Sequence, residues 1–253
     1  MVYSVSTLPI IPIKLSGLDK LDRDVGIEIM IEFGSDYFWR SELDLLFRER
    51  TGPFSIHAPF INFNIANPAL KESDLFSTMK WVFSLASSYN ASHVVIHPNG
   101  RVSSATENEK LQMTFQNRLE GILDIAKDNQ IPLCVENLPG GLRCFSQSQY
   151  IELFENNPSV FSLIDIGHLH LAGWDLTEVA SRLKDRILAY HIHDNDGNKD
   201  SHLPVGRGTI KWNEVYNVIR TYTPDANLVL EYENTTLDEL IAESNRLKQY
   251  VFA

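Results

Sequence analysis

Eight short apolar segments, rich in β-branched residues, alternate along the chain with longer stretches that carry apolar residues at helical spacing. Short apolar runs of this kind are typical of buried parallel strands, and the longer stretches are typical of amphipathic helices. The predicted strands are Val2–Thr7, Gly26–Phe33, Phe54–Ala58, His93–His97, Leu133–Glu136, Phe161–Asp165, Leu188–His193 and Leu228–Tyr232. This succession predicts an α/β protein, a single (β/α)8 TIM barrel that spans residues 1–253 as one domain.

Most of these strands are followed by a predicted helix, and the clearest helical pattern lies between the fourth and fifth strands. The predicted helices are Ser41–Arg50, Glu72–Tyr89, Glu107–Asn129, Ser146–Asn156, Leu176–Lys184, Trp212–Tyr222 and Leu237–Val251. An open doubly wound sheet is the alternative to a closed barrel. The barrel is favoured because no glycine-rich phosphate loop follows the first strand.

Composition limits the partners and the compartment of the chain. Its net charge is −11, so its overall field does not attract nucleic acid. Two cysteines, Cys134 and Cys144, do not make a disulfide framework. No apolar run approaches the ~20 residues that a membrane span needs, and no secretory signal is recognised. We therefore expect a soluble cytoplasmic enzyme with no membrane partner.

Histidine and acidic residues lie at or near the C-terminal ends of six successive predicted strands. These residues are His57, His97, Glu136, Asp165, His191 and Glu231, with His168 and Asp200 in the segments that follow two of the strands. The C-terminal strand ends of a (β/α)8 barrel converge on one face, where its active sites are found. Carboxylates that meet there repel one another and lose hydration unless cations lie among them. The sequence thus predicts a metal site at this face, and imidazole mixed with carboxylate suits Zn²⁺, Mn²⁺ or Fe²⁺ better than Ca²⁺.

Other residues near these strand ends are weaker candidates for metal ligands or substrate contacts. His193 shares a strand face with His191 and is expected to contact substrate rather than metal. His93 begins its strand at the opposite end of the barrel, so a structural role is expected. Phe60 and Asn99 follow candidate ligands and are candidate substrate contacts, although Phe60 has an equal claim to simple packing.

Three segments resemble a known group of enzymes. They read HAPFINFNIANP, DIGHLHLAGWDL and HDNDGNKDSHLPVGRGTI. Together with the strand-end residues, they resemble the xylose isomerase-like TIM barrels, also called AP endonuclease family 2. That group contains endonuclease IV and many sugar-phosphate isomerases and epimerases. The resemblance runs from the second strand to Glu231.

The resemblance implies up to three divalent metal ions, Zn²⁺ above all, held in three subsites. The implied ligands are Glu136, Asp165, His191 and Glu231 in the subsite shared with the isomerases, His57, His97 and Glu136 in a second, and His168, Asp200 and His202 in a third. Glu136 would bridge two ions. One departure concerns DNA: Ser201 stands where endonuclease IV has an arginine that holds the DNA backbone.

Two enzymatic functions follow from these implications. The first is phosphodiester hydrolysis by three ions, with a small phosphorylated substrate favoured over duplex DNA. The second is isomerisation or epimerisation of a sugar or sugar phosphate at one ion. In that reaction Glu136 and Glu231 are the acid and base, and His168 and Arg207 bind hydroxyl or phosphate groups. Glu136, Glu231 and His168 are the catalytic candidates, and a metal-binding barrel without activity is the third alternative. The number of ions per chain would separate the two reactions.

Overall fold

Eight parallel strands close into a barrel in the computed structural model, which describes residues 2–10, 15, 17–61, 63–98, 105–140 and 144–251. The strands are β1 (Val2–Ser6), β2 (Gly26–Met30), β3 (Phe54–His57), β4 (Val94–Ile96), β5 (Leu133–Glu136), β6 (Val160–Asp165), β7 (Ile187–Ile192) and β8 (Asn227–Leu230). Each strand pairs with the next, and β8 pairs with β1 in parallel. The predicted (β/α)8 TIM barrel is confirmed, and the open-sheet alternative is wrong because the sheet has no free edge.

The helices surround this barrel. They are α1 (Asp36–Leu46), α2 (Glu72–Ser88), α3 (Ala105–Asn129), α4 (Gln147–Asn156), α5 (Ile166–Ala172), α6 (Leu176–Arg182), α7 (Trp212–Tyr222) and α8 (Leu237–Val251). Two short 3₁₀ turns, Leu8–Ile10 and Leu18–Lys20, follow β1. The sequence did not predict α5, a short helix that continues directly from β6. In the part of the chain that the structure describes, no helix is long and apolar enough to cross a membrane.

Helix α1 starts earlier than the predicted Ser41. Its N-cap is Ser35, whose Oγ accepts a hydrogen bond from the Phe38 N–H at 3.2 Å. This cap satisfies one of the free N–H groups of the first turn. The helix then buries Trp39 and Leu43 against the barrel. A local capping interaction therefore sets this boundary, whereas the apolar spacing alone placed it too late.

The barrel interior explains why the polar strand ends meet. Val95, Cys134, Leu163 and Ala189, on β4 to β7, form a small buried cluster inside the barrel. His97, Glu136, Asp165 and His191 each follow one of these residues by two positions. Side chains two positions apart in a strand share a face, so all four point toward the barrel axis one layer above the apolar cluster.

Candidate metal centre

Histidine and carboxylate side chains fill the C-terminal mouth of the barrel in three clusters. Cluster one is Glu136, Asp165, His191 and Glu231, cluster two is His57, His97 and Glu136, and cluster three is His168, His193, Asp200 and His202. Within each cluster, one ligand atom from every residue lies within 4.8 Å of all the others. The structure thus brings together all nine residues predicted as ligands, and it adds His193.

Cluster two is the most compact. His97 Nε2 lies 3.1 Å from His57 Nε2 and 3.0 Å from Glu136 Oε2. His57 Nε2 lies 3.3 Å from the same Glu136 oxygen. A tetrahedral ion with metal–ligand bonds of about 2.0–2.1 Å separates its ligand atoms by roughly 3.3 Å. The three atoms therefore already have the mutual spacing of metal ligands.

Cluster one lies deeper, and all four of its side chains are buried. His191 Nδ1 is 3.2 Å from Glu231 Oε2, 3.4 Å from Glu136 Oε2 and 3.7 Å from Asp165 Oδ2. This nitrogen is buried, and none of the described residues forms a hydrogen bond with it. A buried polar atom without a partner is costly, and a cation among these three oxygens would supply one. Because Glu136 Oε2 also belongs to cluster two, Glu136 can bridge two ions.

Cluster three joins α5 to the loop between β7 and α7. Asp200 Oδ2 lies 3.0 Å from His168 Nε2 and 3.4 Å from His202 Nε2. His202 has a φ of 41°, in the left-handed region that non-glycine residues seldom adopt. Strain of this kind is common at functional sites, because the surrounding structure must hold the residue in place.

Backbone carbonyls orient three of these histidines in the same way. The Nδ1 atoms of His57, His168 and His202 lie 2.9, 2.9 and 2.8 Å from the carbonyl oxygens of Ala58, Asn137 and Glu231. A carbonyl oxygen only accepts, so each Nδ1 carries the proton and donates it. Each Nε2 is left to face its cluster, which is the arrangement that metal-binding histidines require.

Charges in the mouth balance one another. Burial opposes protonation of His168, but the carboxylates of Asp165, Asp200 and Glu136 outweigh it and raise the pKa of His168 well above its usual value. Burial likewise opposes ionisation of Glu136, but His191, His97 and His168 hold the pKa of Glu136 well below its usual value. Because the pKa values of His168 and His191 are raised, these two imidazoles act as protonated counter-charges to the ionised carboxylates. Divalent cations would replace these protons, so the residues fit a metal centre.

A cavity of about 340 Å³ opens above the three clusters. Its polar lining includes Glu136, Glu231, Asp200, Glu233 and four histidines. Its apolar lining is Leu8, Met30, Phe60, Ile61, Leu138 and Pro139. This volume suits a small molecule, with the candidate ligands on the floor and apolar side chains on the wall.

The four predicted substrate contacts have different positions. Phe60 lines the cavity, and its ring centroid lies 5.1 Å from that of His57 and 4.8 Å from that of His97. Arg207 is exposed and lines a neighbouring cavity of about 320 Å³, which shares Glu233 with the first. Asn99 lies outside the described residues.

His193 differs from the expectation that it contacts substrate. It is fully buried, it does not line the cavity, and its Nε2 lies 3.0 Å from both carboxylate oxygens of Asp165. Its ring stacks on His202 with centroids 3.8 Å apart. His193 therefore belongs to cluster three and connects it to Asp165 of cluster one.

Sequence reasoning missed Glu28, in the middle of β2. It is fully buried, and its Oε1 lies 2.7 Å from His191 Nε2. Burial alone would raise the pKa of Glu28, but His191 lowers it to about 2. A charged residue inside an otherwise apolar strand was the available signal, because a buried charge needs a partner.

Comparison with known proteins agrees with this architecture. A family model described as xylose isomerase-like TIM barrel matches residues 26–250. An uncharacterized protein of Methanocaldococcus jannaschii is 26% identical over 99% of this chain and 89% of its own length. A probable endonuclease 4 of Finegoldia magna is 27% identical over 62% of this chain and 63% of its own length.

Among solved structures, that of a D-tagatose 3-epimerase-like protein superposes with a TM-score of 0.84. It covers 100% of this chain and 97% of the other, at 23% identity, so it supports the fold alone. The family model is the stronger finding, because it spans seven of the eight strands and all of the candidate ligands. The chain belongs to the xylose isomerase-like TIM barrel family.

Proposed function

We propose that this chain is a divalent-metal-dependent phosphodiester hydrolase that uses up to three ions and acts on a small phosphodiester rather than on duplex DNA. One observation carries the proposal: clusters two and three have ligand spacing and histidine orientation as good as those of cluster one. A one-ion isomerase requires cluster one alone and leaves the other two unexplained.

The three clusters are three candidate metal-binding subsites. Each would hold one ion, with Glu136 shared between clusters one and two, and Zn²⁺ suits this mixture of imidazole and carboxylate best. Mn²⁺ and Fe²⁺ also fit. When bound, such ions polarise phosphoryl oxygens, acidify the attacking water and stabilise the leaving alkoxide.

The protein side chains would then position the reacting groups. Glu136 and Glu231 both reach the cavity, so either carboxylate can hold a water molecule and accept its proton. His168 also lines the cavity, and although burial opposes it, neighbouring carboxylates raise the pKa of His168, so His168 is the candidate proton donor to a leaving oxygen when its subsite holds no ion.

The shape and charge of the mouth support a small substrate. Proteins that bind duplex DNA neutralise several phosphates with lysine and arginine side chains. The net charge of −11 opposes such binding, and no lysine or arginine is found among the described residues of the cavity wall. The apolar wall around Phe60 instead suits the non-phosphate part of a compact diester.

Sugar isomerisation or epimerisation remains the second candidate. Glu136 and Glu231 place carboxylate oxygens 3.4 and 3.2 Å from His191 Nδ1, so both would flank a substrate held at cluster one. The likeness to an epimerase-like structure is compatible with this reaction. A shared barrel, however, does not specify a substrate.

Metal counting combined with His168→Asn separates the two candidates. We expect three ions per chain after reconstitution with zinc, measured by plasma mass spectrometry, and turnover of bis(4-nitrophenyl) phosphate. His168→Asn should lose the ion of cluster three, and hydrolysis should fall by about 100-fold. His170→Asn is the matched control, because His170 lies on the same helix and contacts Thr209 outside the clusters.

Parallel assays with an abasic-site DNA duplex and with D-tagatose test the remaining substrates. Cleavage of the duplex at a rate above that of the small diester would overturn the preference for a small substrate. One ion per chain, with turnover of the ketose alone, would replace the hydrolase with the isomerase.

A further inference from the structure

A fifth carboxylate, that of Glu28, lies directly beneath cluster one. Glu28 Oε1 is 2.7 Å from His191 Nε2, and Glu28 Oε2 accepts a hydrogen bond from Ser55 Oγ at 2.8 Å. His93 Nε2 lies 3.8 Å from the same Oε2. All four side chains are buried inside the barrel, so Glu28 has a fixed position below the mouth.

This contact determines which ring nitrogen of His191 is available to a metal. A carboxylate presents only acceptors, so His191 Nε2 must carry the proton in this hydrogen bond. When the ring is neutral, as metal binding requires, the Nδ1 lone pair then points at the three carboxylate oxygens of cluster one, at 3.2 to 3.7 Å. The opposite tautomer would place a hydrogen on Nδ1, where the ion would bind.

His191 differs in this respect from the histidines that backbone carbonyls orient. His57, His168 and His202 each donate from Nδ1 to a neutral carbonyl, whereas His191 donates from Nε2 to a full negative charge. A carboxylate partner makes the imidazole a stronger electron donor as well as fixing its orientation. It also adds negative charge below the most enclosed of the three clusters.

We propose that Glu28 is a positioning residue, which holds His191 in the Nε2–H tautomer and thereby strengthens divalent-metal binding at cluster one. The inference rests on the metal-binding part of the proposed function, and it holds for either reaction. Glu28 does not border the cavity, so it acts on the substrate only through His191.

Zinc affinity of Glu28→Gln is the principal test. Glutamine keeps the size and one acceptor of glutamate but removes the charge, and its amide can turn an N–H₂ toward His191. We expect the zinc affinity of one site per chain, measured by competition with a chromogenic chelator, to fall by about 10- to 100-fold. Glu42→Gln is the matched control, since Glu42 accepts from the Leu15 N–H and touches no candidate ligand.

The ring protons of His191 give a second readout that a purely structural role would not change. Long-range ¹H–¹⁵N spectra of the zinc-free protein, recorded at a pH high enough that the His191 ring is neutral and assigned with His191→Asn, should show an Nε2–H tautomer in the wild type and a mixture in Glu28→Gln. Wild-type affinity together with an unchanged His191 tautomer in Glu28→Gln would overturn the inference. A lower metal-free melting temperature alone, with unchanged affinity, would also overturn it.

Ser55→Ala keeps the test decisive if Glu28→Gln fails to fold. It removes one hydrogen bond to Glu28 and leaves the charge, so zinc affinity should fall by only about 5-fold. An unchanged affinity in that variant counts against the inference. If the wild-type protein binds no zinc at cluster one, both this inference and the proposed function are wrong. If zinc binds with an affinity that does not depend on Glu28, only this inference is wrong.

Discussion

One side chain of this centre, that of Glu136, belongs to two of the three clusters. Glu136 contributes the same oxygen, Oε2, to the contacts with His57, His97 and His191. Its other oxygen lies 3.1 Å from His168 Nδ1. Removing one such residue should therefore disturb several subsites together, which a peripheral ligand would not do.

Replacement of Glu136 by glutamine should remove more than one ion. An amide oxygen binds divalent ions more weakly than a carboxylate does, and only one oxygen remains to be shared. We expect metal content to fall by about two ions per chain and hydrolysis of the small diester by roughly 1,000-fold or more. Mass spectrometry of the metals and initial rates would measure both, with the exposed Glu152→Gln on α4 as control. Retention of all ions would show that Glu136 does not bridge.

Gly167 makes room for the buried ring of His193. A Cβ built on Gly167 would lie 2.0 Å from His193 Cε1, closer than any real contact. Gly167→Ala should therefore push His193 away from Asp165 and destabilise the protein by about 1–3 kcal/mol. Urea denaturation of Gly167→Ala, His193→Ala and the double variant would measure this. If the clash is with His193, the double variant should cost no more than His193→Ala, whereas additive losses would locate the strain elsewhere.

The loop between β7 and α7 is the element that builds cluster three. Asp194, buried two residues after β7, accepts hydrogen bonds from the backbone N–H groups of Gly206 and Ile210 and from Trp212 Nε1. Its own backbone N–H and carbonyl both pair with Leu203. These contacts close the loop that carries Asp200 and His202, so the geometry of cluster three depends on a residue that is not a candidate ligand.

Replacement of Asp194 by asparagine should loosen this loop selectively. The Asn195 N–H is a fourth donor to the Asp194 carboxylate, and each oxygen accepts from two donors. Only one oxygen of the amide can accept, so two of the four donors lose their partner, at a cost of about 1–3 kcal/mol each. We expect the ion of cluster three to be lost first in a chelator titration, while the ion of cluster one stays. Asp196→Asn is the control, because Asp196 is exposed and accepts from Asn198 and Lys199 of its own loop. Equal effects from the two variants would contradict a specific role for Asp194.

At the scale of the whole barrel, the fold and the candidate ligands were predictable for the same reason. Apolar strands carry period-two patterns, so a polar residue at a strand end such as His57 or Asp165 has a defined direction. The position of His193 was not predictable, because it depends on the space beside Gly167, a contact between distant segments. Glu28 was overlooked because its partner, His191, lies 163 positions away in the sequence.

Protonation of the histidines in the centre should make the stability of the metal-free protein depend on pH. Although burial opposes it, the carboxylates of Asp200 and Glu231 raise the pKa of His202 to about 9, and neighbouring carboxylates also raise the pKa values of His168 and His191. A histidine whose pKa is higher in the folded than in the unfolded protein stabilises the fold when it is protonated. This stabilisation is complete below the unfolded pKa of about 6.5, and it is lost as the pH rises through the folded pKa. His202 alone then accounts for at most about 3 kcal/mol between pH 6.5 and 9, or roughly 10 °C in melting temperature.

Zinc binding should oppose this dependence, because the ion requires deprotonated imidazoles and releases their protons. We expect melting temperatures in EDTA to fall from pH 6.5 to 9.5, and the increase on adding zinc to grow over the same range. Calorimetric scans at several pH values with EDTA or zinc would measure both trends. His202→Asn should make the EDTA curve less steep, and His170→Asn should leave it unchanged. A zinc-induced shift that stays constant with pH would mean that the ion does not displace these protons, and the centre would then not be the zinc site.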